Sequence, residues 1–213
     1  MIRLCELSDY SDIIRIWREA FGDSEEYILT FLDKFKEYVY VMDKDAIMTL
    51  FPVSLNDKKG HYLYAVAVDK EKRGLGLGKK LIEFAKENML DFLVLVPADK
   101  GLFDYYRKLG FCENSSIGIY DNTSTNEKIS AKEYFLLRDN LLENYIKWSE
   151  EQLIKIASLY GAEFYKNKES TEISMLSNNR IIECIGKKSV KEKMFSMIFP
   201  KDYKNSYFNI AID

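Results

Sequence analysis

The residues with the clearest chemical potential lie between Leu63 and Leu90. An apolar run, Leu63-Tyr64-Ala65-Val66-Ala67-Val68, leads through Asp69-Lys70-Glu71-Lys72 into Arg73-Gly74-Leu75-Gly76-Leu77-Gly78-Lys79-Lys80. Leu77, Leu81, Ala85 and Met89 recur at every fourth position, which predicts a helix opening inside the glycine run. Glycines on alternate positions leave their backbone N–H groups unobstructed. At a helix N-terminus such amides lack intrahelical acceptors, and the positive end of the dipole points the same way. The segment is therefore suited to hold an anion. Lys79 and Lys80 in the first turn oppose the dipole, by a few tenths of a kcal/mol up to about 1 kcal/mol each. With Lys70, Lys72 and Arg73 they form a basic cluster that a phosphate would turn from a penalty into an attraction. The plainer alternative is a glycine-rich turn with solvated lysines.

Spacing decides which phosphate ligand is meant. A P-loop has four residues between its glycines and a Ser or Thr after the lysine; here three residues separate Gly74 from Gly78, and Lys80 follows Lys79. A dinucleotide fingerprint reads Gly-x-Gly-x-x-Gly beside the first strand, whereas this run reads Gly-x-Gly-x-Gly well inside the chain. Both nucleotide readings fail on these details. His61 is the single histidine, so a zinc site of several histidines is excluded. Triad chemistry would have to use it, and no nucleophile-elbow motif is present. Beside Lys58-Lys59-Gly60 it reads as a surface residue in a turn that opens a strand. No metal is expected.

The order Arg-x-x-Gly-x-Gly after a strand, filled by Arg73, Gly76 and Gly78, resembles the acetyl-CoA motif of the GNAT N-acetyltransferase superfamily. Tyr105-Tyr106-Arg107-Lys108-Leu109-Gly110-Phe111 resembles that superfamily's second motif, an aromatic-Tyr-x-Lys-Leu-Gly-Phe run. The pair is specific where either alone would be weak, and the likeness covers roughly residues 1–120. It implies an α/β (α+β) fold: a mixed, largely antiparallel central sheet flanked by helices, followed by a smaller α+β C-terminal domain. It implies acetyl-CoA as co-substrate, with the backbone of Val66, Ala67 and Val68 along the pantetheine arm. Arg73, Gly74, Leu75, Gly76, Leu77, Gly78, Lys79 and Lys80 would lie at the pyrophosphate. Asp99 and Phe103 join the cofactor contacts; Asp99 stands where many members have an asparagine, which weakens the transfer of that one role. Tyr106 matches the tyrosine that protonates the departing thiolate, a step that a phenol of ordinary pKa near 10 can perform. Its alternative is a core aromatic on an amphipathic helix.

The mechanism so implied is direct attack of an amine on the thioester, with the oxyanion held by a backbone N–H near Val66–Val68. Glu25, Glu26 and Asp99 are base candidates by location, though each reads more readily as a surface or capping residue. The acceptor is a small-molecule or peptide amine; the acidic balance of the first part of the chain favours a cationic one. A homodimer is compatible with the resemblance. The competing reading is a non-catalytic acyl-CoA-binding sensor that keeps the cradle without the chemistry.

Elements must position these groups. A first strand over residues 1–6 precedes a helix capped by Ser8 or Asp9, broken at Gly22-Asp23, and a second helix capped by Ser24. Strands are predicted over Tyr38–Met42, Ala46–Leu55 and Tyr62–Val68, with a hairpin loop at 56–60. Strand, helix, strand, helix and strand then follow to Tyr120. The polar stretch Asp121–Lys128 is read as the boundary between domains 1–120 and 121–213. Beyond it helices are expected over 131–144 and 149–159, ended by Gly161, then strands near 163–166, 171–176 and 181–185. A short helix begins near Ser189, and Tyr207–Ile212 is a last apolar piece that could bring the carboxylate of Asp213 toward the first domain or form a plain edge strand.

Composition is ordinary for a globular chain: 213 residues, 47% apolar and 31% charged. Net charge is −3, and the 14 acidic residues from Asp121 onward balance 14 basic ones, so the excess belongs to the first part. Non-specific nucleic-acid binding is not suggested. No run reaches the roughly 18 apolar residues of a membrane helix, and no signal-length apolar run follows Met1-Ile2-Arg3. Cys5, Cys112 and Cys184, odd in number and far apart, point to reduced thiols and a cytoplasmic setting.

Overall fold

The computed structural model describes residues 1–178, 180–186 and 192–200. By compactness the chain forms two units, Met1–Pro52 with Lys59–Leu95, and Val53–Lys58 with the chain from Val96 onward.

In the first unit, β1 (Ile2–Leu4) is followed by α1 (Tyr10–Phe21) and α2 (Glu25–Phe35). Gly22 ends α1 in the left-handed region at φ 80°, a conformation glycine adopts without steric cost. Ser24 Oγ then accepts the Tyr27 amide at 3.2 Å and starts α2, as its position before Glu25-Glu26 predicts. Asp9, by contrast, does not cap α1 with its side chain; its carboxylate takes Arg3 at 2.7 and 2.9 Å and the Glu6 amide at 2.8 Å. β2 (Val39–Met42), β3 (Ala46–Leu55), β4 (Lys58–Val68), α3 (Leu77–Glu87) and β5 (Phe92–Leu95) complete the unit, whose strand order is β1-β2-β3-β4-β5. β1, β2 and β3 pair antiparallel, while β4 and β5 are parallel, with Gly60 opposite Phe92 and Tyr62 opposite Val94. The buried rings of Trp17, Phe31, Phe35, Phe51 and Tyr62 form the core under α1 and α2.

Two readings change here. The hairpin turn is only Asn56-Asp57, so β4 begins at Lys58 and includes His61. His61 is a half-buried strand residue, not a surface turn residue; burial lowers its pKa. Its Nδ1 is enclosed with no hydrogen-bond partner among the described residues.

The second unit opens with α4 (Lys100–Lys108) and β6 (Cys112–Ile119), then β7 (Glu127–Ile129), α5 (Ala131–Leu141), α6 (Glu150–Tyr160), β8 (Glu163–Lys166), β9 (Ile173–Ser177), β10 (Arg180–Ile185) and β11 (Glu192–Phe199). β7 to β10 form an antiparallel sheet in the order β10-β9-β8-β7. α6 starts in a capping box between Ser149 and Gln152 and stops at left-handed Gly161. The face of α5 that carries the buried Tyr134 also carries Arg138, which is buried and bonded to Glu183 at 2.9 Å, with Tyr134 donating to the same carboxylate at 2.5 Å. A buried charge is tolerable only when so compensated. The backbones of Ser54 and Lys147, both within this unit, exchange hydrogen bonds at 3.0 and 2.7 Å.

The boundary expected at residue 120 is replaced by one at Leu95/Val96. The reason is β11, which returns to pair antiparallel with β6, Glu192 opposite Ile119 and Ile198 opposite Cys112. The α+β piece is thus inserted between two paired strands. The polar stretch read as a linker enters β7 at Glu127, and α5 ends at Leu141 instead of Asn144. The helix start at Ser189 and the piece Tyr207–Asp213 lie outside the described residues.

Candidate active site

β4 carries the first part of the site. Its register with β5 ends at Tyr62/Val94, and the strand continues through Val68. Within that continuation Ala65 has φ 50°, in the left-handed region that a non-glycine residue enters at a cost of about 1–2 kcal/mol. The alternation of inward and outward residues breaks there: Tyr64, Ala65 and Val66 are all half-buried, before Ala67 turns in and Val68 is half-buried again. Such an interruption re-aims backbone groups and is common beside functional sites. Of the residues expected along the pantetheine arm, Val66 and Val68 keep partial exposure, and Ala67 is buried. Ala65 was not anticipated; no turn-forming residue marks it.

From Val68 the chain makes a 3-10 turn at Lys70–Lys72 and passes to Gly74 and Gly76, at φ 81° and 76°. A Cβ built on either glycine meets nothing within 4 Å, so their requirement is one of backbone conformation and leaves open space above the loop. Gly76 is the N-cap of α3, and the first helical bond there runs from Lys80 N to Gly76 O at 3.1 Å. The amides of Leu77, Gly78 and Lys79 accordingly have no intrahelical acceptor. Leu75, Lys79 and Lys80 are exposed around them. Arg73, expected at the pyrophosphate, is exposed and donates through Nε to Val68 O at 3.2 Å, which closes the loop on the strand end. Gly78 has helical backbone in the first turn, so its value is the small side chain, not a special φ. Open amides, a positive dipole end and flexible cations fit a diphosphate such as that of coenzyme A.

The remaining expected residues lie in the second unit. Asp99 is the N-cap of α4, its Oδ1 accepting the amides of Gly101 at 2.7 Å and Leu102 at 3.1 Å. Phe103 is half-buried on α4 under the guanidinium of Arg107, 5.9 Å away. Tyr106 is 8% exposed, with its ring 5.3 Å from Tyr105 and 5.7 Å from Phe111. Burial raises its pKa well above the ordinary phenol value, and Tyr105 adds to the rise. The base candidates Glu25 and Glu26 occupy the first turn of α2, where the helix dipole favours acids. Among the described residues no group of His, Cys, Asp and Glu could hold a metal ion, and no helix is long and apolar enough to cross a membrane.

With this geometry in view, residues 36–113 match the family model of the acetyltransferase (GNAT) domain. The match spans β2 to the start of β6 and contains both the glycine loop and the Tyr106 motif. Among solved structures, the chain is similar to a GCN5-related N-acetyltransferase from Kribbella flavida (13% identity, 93% of this chain and 71% of that one, TM-score 0.62). It is also similar to a Pyrococcus horikoshii protein assigned provisionally to the acetyltransferases (12% identity, 96% and 91%, TM-score 0.63). A GCN5-related N-acetyltransferase from Anabaena variabilis matches at 17% identity and TM-score 0.52, over 86% of this chain but only 53% of its own length. At such identities these likenesses establish the fold, which is of the GNAT kind. No curated protein matches the chain.

Proposed function

We propose that this protein transfers acetyl from acetyl-CoA to a primary amine by direct attack of the amine on the thioester. The observation that carries the reading is the loop from Val68 to Lys79, where left-handed Gly74 and Gly76 deliver helix amides that lack intrahelical acceptors next to Arg73, Lys79 and Lys80. Such a loop suits a diphosphate, and the GNAT domain match over residues 36–113 supports acyl transfer as the reaction class. The left-handed residue Ala65 supports an oxyanion role for an amide in the following stretch of β4. Tyr106 takes the part of acid to the departing thiolate on the strength of its motif, and its raised pKa keeps the proton in place at neutral pH. The acceptor is a small-molecule or peptide amine.

One observation favours a second reading. Tyr106 is almost enclosed, as a packing residue would be, and a protein with the cradle but no working acid would bind acyl-CoA as a sensor. Thioester consumption by the purified protein decides between them, screened over polyamines, aminoglycosides, amino acids and peptide N-termini. Release of coenzyme A dependent on one acceptor class supports the transferase. Tight acyl-CoA binding with no turnover on any acceptor supports the sensor, and no coenzyme A binding at all would overturn both.

A further inference from the structure

The loop that follows β4 is fastened to α1 by contacts that the reaction itself does not call for. Asp69, 8% exposed, is their hub. Its Oδ1 accepts the Glu71 amide at 2.9 Å, its Oδ2 receives Nη1 of Arg15, and its own amide donates to Asp45 O at 2.8 Å. Arg15 also donates through Nη2 to Lys44 O at 3.0 Å and pairs with Asp12 at 3.2 Å. One turn further along the same face of α1, Glu19 Oε2 accepts the Lys70 amide at 3.2 Å. The 3-10 turn at Lys70–Lys72 is therefore pinned at its first residue and at its cap, and everything from Arg73 to Gly76 hangs from it.

We infer that Arg15 and Asp69, seconded by Glu19, are positioning residues that set the phosphate-facing amides. Gly74 and Gly76 have freedom over much of φ/ψ space, so their left-handed conformation must be selected by what holds the loop's ends. Arg73, bonded to Val68 O, holds it to the strand; the α1 latch holds the other side of the turn. Neither Arg15 nor Asp69 is required to touch the ligand. This inference rests on the reading of the loop as a diphosphate site.

Charge separates positioning from simple attraction. Coenzyme A is a polyanion, so if Arg15 acted only through its field, Arg15→Ala would weaken binding and Asp69→Asn would strengthen it. Positioning requires both to weaken it. The test is titration calorimetry of coenzyme A with the full chain and the two variants, together with hydrogen exchange at the amides of residues 70–79. The expected result is about tenfold weaker binding for each variant, the scale of one lost charge-assisted bond, with faster exchange confined to the loop. Tighter binding by Asp69→Asn, or unchanged binding and exchange in both variants, would overturn the inference while leaving the diphosphate site standing. Failure of the unaltered protein to bind coenzyme A would instead remove the site, and the inference with it. Glu19→Ala, which removes a single acceptor and keeps the ion pair, guards against a general loss of fold and should show a smaller loss in the same direction.

Discussion

Tyr106 lies in contact with Tyr105 and Phe111 in a site where burial holds its proton in place. On the proposed reading, in which Tyr106 protonates the leaving group, it contributes only in the step where the thiolate departs. Tyr106→Phe should therefore lower kcat by about a hundredfold, at the low end of acid–base contributions, while coenzyme A affinity stays within about twofold. Unchanged turnover with a lowered melting temperature would make the ring a packing residue. His61 gives a pH signature of different origin. Burial lowers its folded-state pKa below the unfolded value near 6.5, so the unfolded chain binds the proton more readily. Its contribution to stability is complete above about pH 6.5 and is lost as pH falls from there through the lowered folded pKa. The urea midpoint should drop between pH 7.5 and 5.5, and His61→Gln should flatten that slope; an equal slope in the variant would acquit His61. At this scale the glycine loop was legible because spacing alone carries it. His61 was misplaced because the lysines and glycine before it resemble a turn, whereas the turn had already ended at Asp57. Ala65 was invisible, since alanine carries no local signal for positive φ.

Glycines at the scale of elements fall into two kinds with opposite demands. Gly76 needs φ 76° and has open space around it, so Gly76→Ala pays only for conformation, about 1 kcal/mol. Gly76→Asn should recover part of that, because asparagine tolerates the left-handed region. Gly60 has no special φ but lies against β5: an added Cβ would come within 2.5 Å of Phe92 O and 2.6 Å of its ring. Gly60→Ala must push β4 from β5 where the two are in register, which costs about 1–3 kcal/mol. Urea denaturation of the variants checks both, and a Gly60→Ala protein as stable as the parent would contradict the close packing. Elements with a complete local signature were legible, such as α2 behind its Ser24 cap and β3 at its full length. β7 was hidden inside a polar stretch, because its hydrogen bonds to β8 and not its own side chains define it. β11 was missed for a related reason. Met194, Met197 and the charged residues around them suit a helix, and the strand exists through a partner at Cys112–Ile119, far back in the sequence.

That distant pairing governs the architecture of the molecule. The chain leaves β6, builds the α+β piece from β7 to β10, and comes back to β6 as β11, where Met197 and Ile198 are buried and the Phe199 ring sits 5.6 Å from Phe111. A reading in two successive domains predicts that residues 1–120 fold alone. The topology predicts the reverse, since truncation at Tyr120 strips β6 of its ladder and uncovers Phe111 beneath the motif helix α4. An unpaired strand edge recruits other chains. The 1–120 fragment should therefore aggregate or unfold without a cooperative transition. A chain in which residues 120–191 give way to a two-residue Asn-Gly turn keeps the antiparallel pair, because Ile119 and Glu192 already face each other. It should unfold cooperatively, though at a lower temperature, for it also loses the backbone bonds between Ser54 and Lys147. Sedimentation and thermal melts of the two proteins distinguish the views. A monomeric, cooperatively melting 1–120 fragment would restore the two-domain division, whereas survival of the shortened chain alone would identify the α+β piece as an insertion that evolution could vary without disturbing the acetyltransferase fold on either side of it.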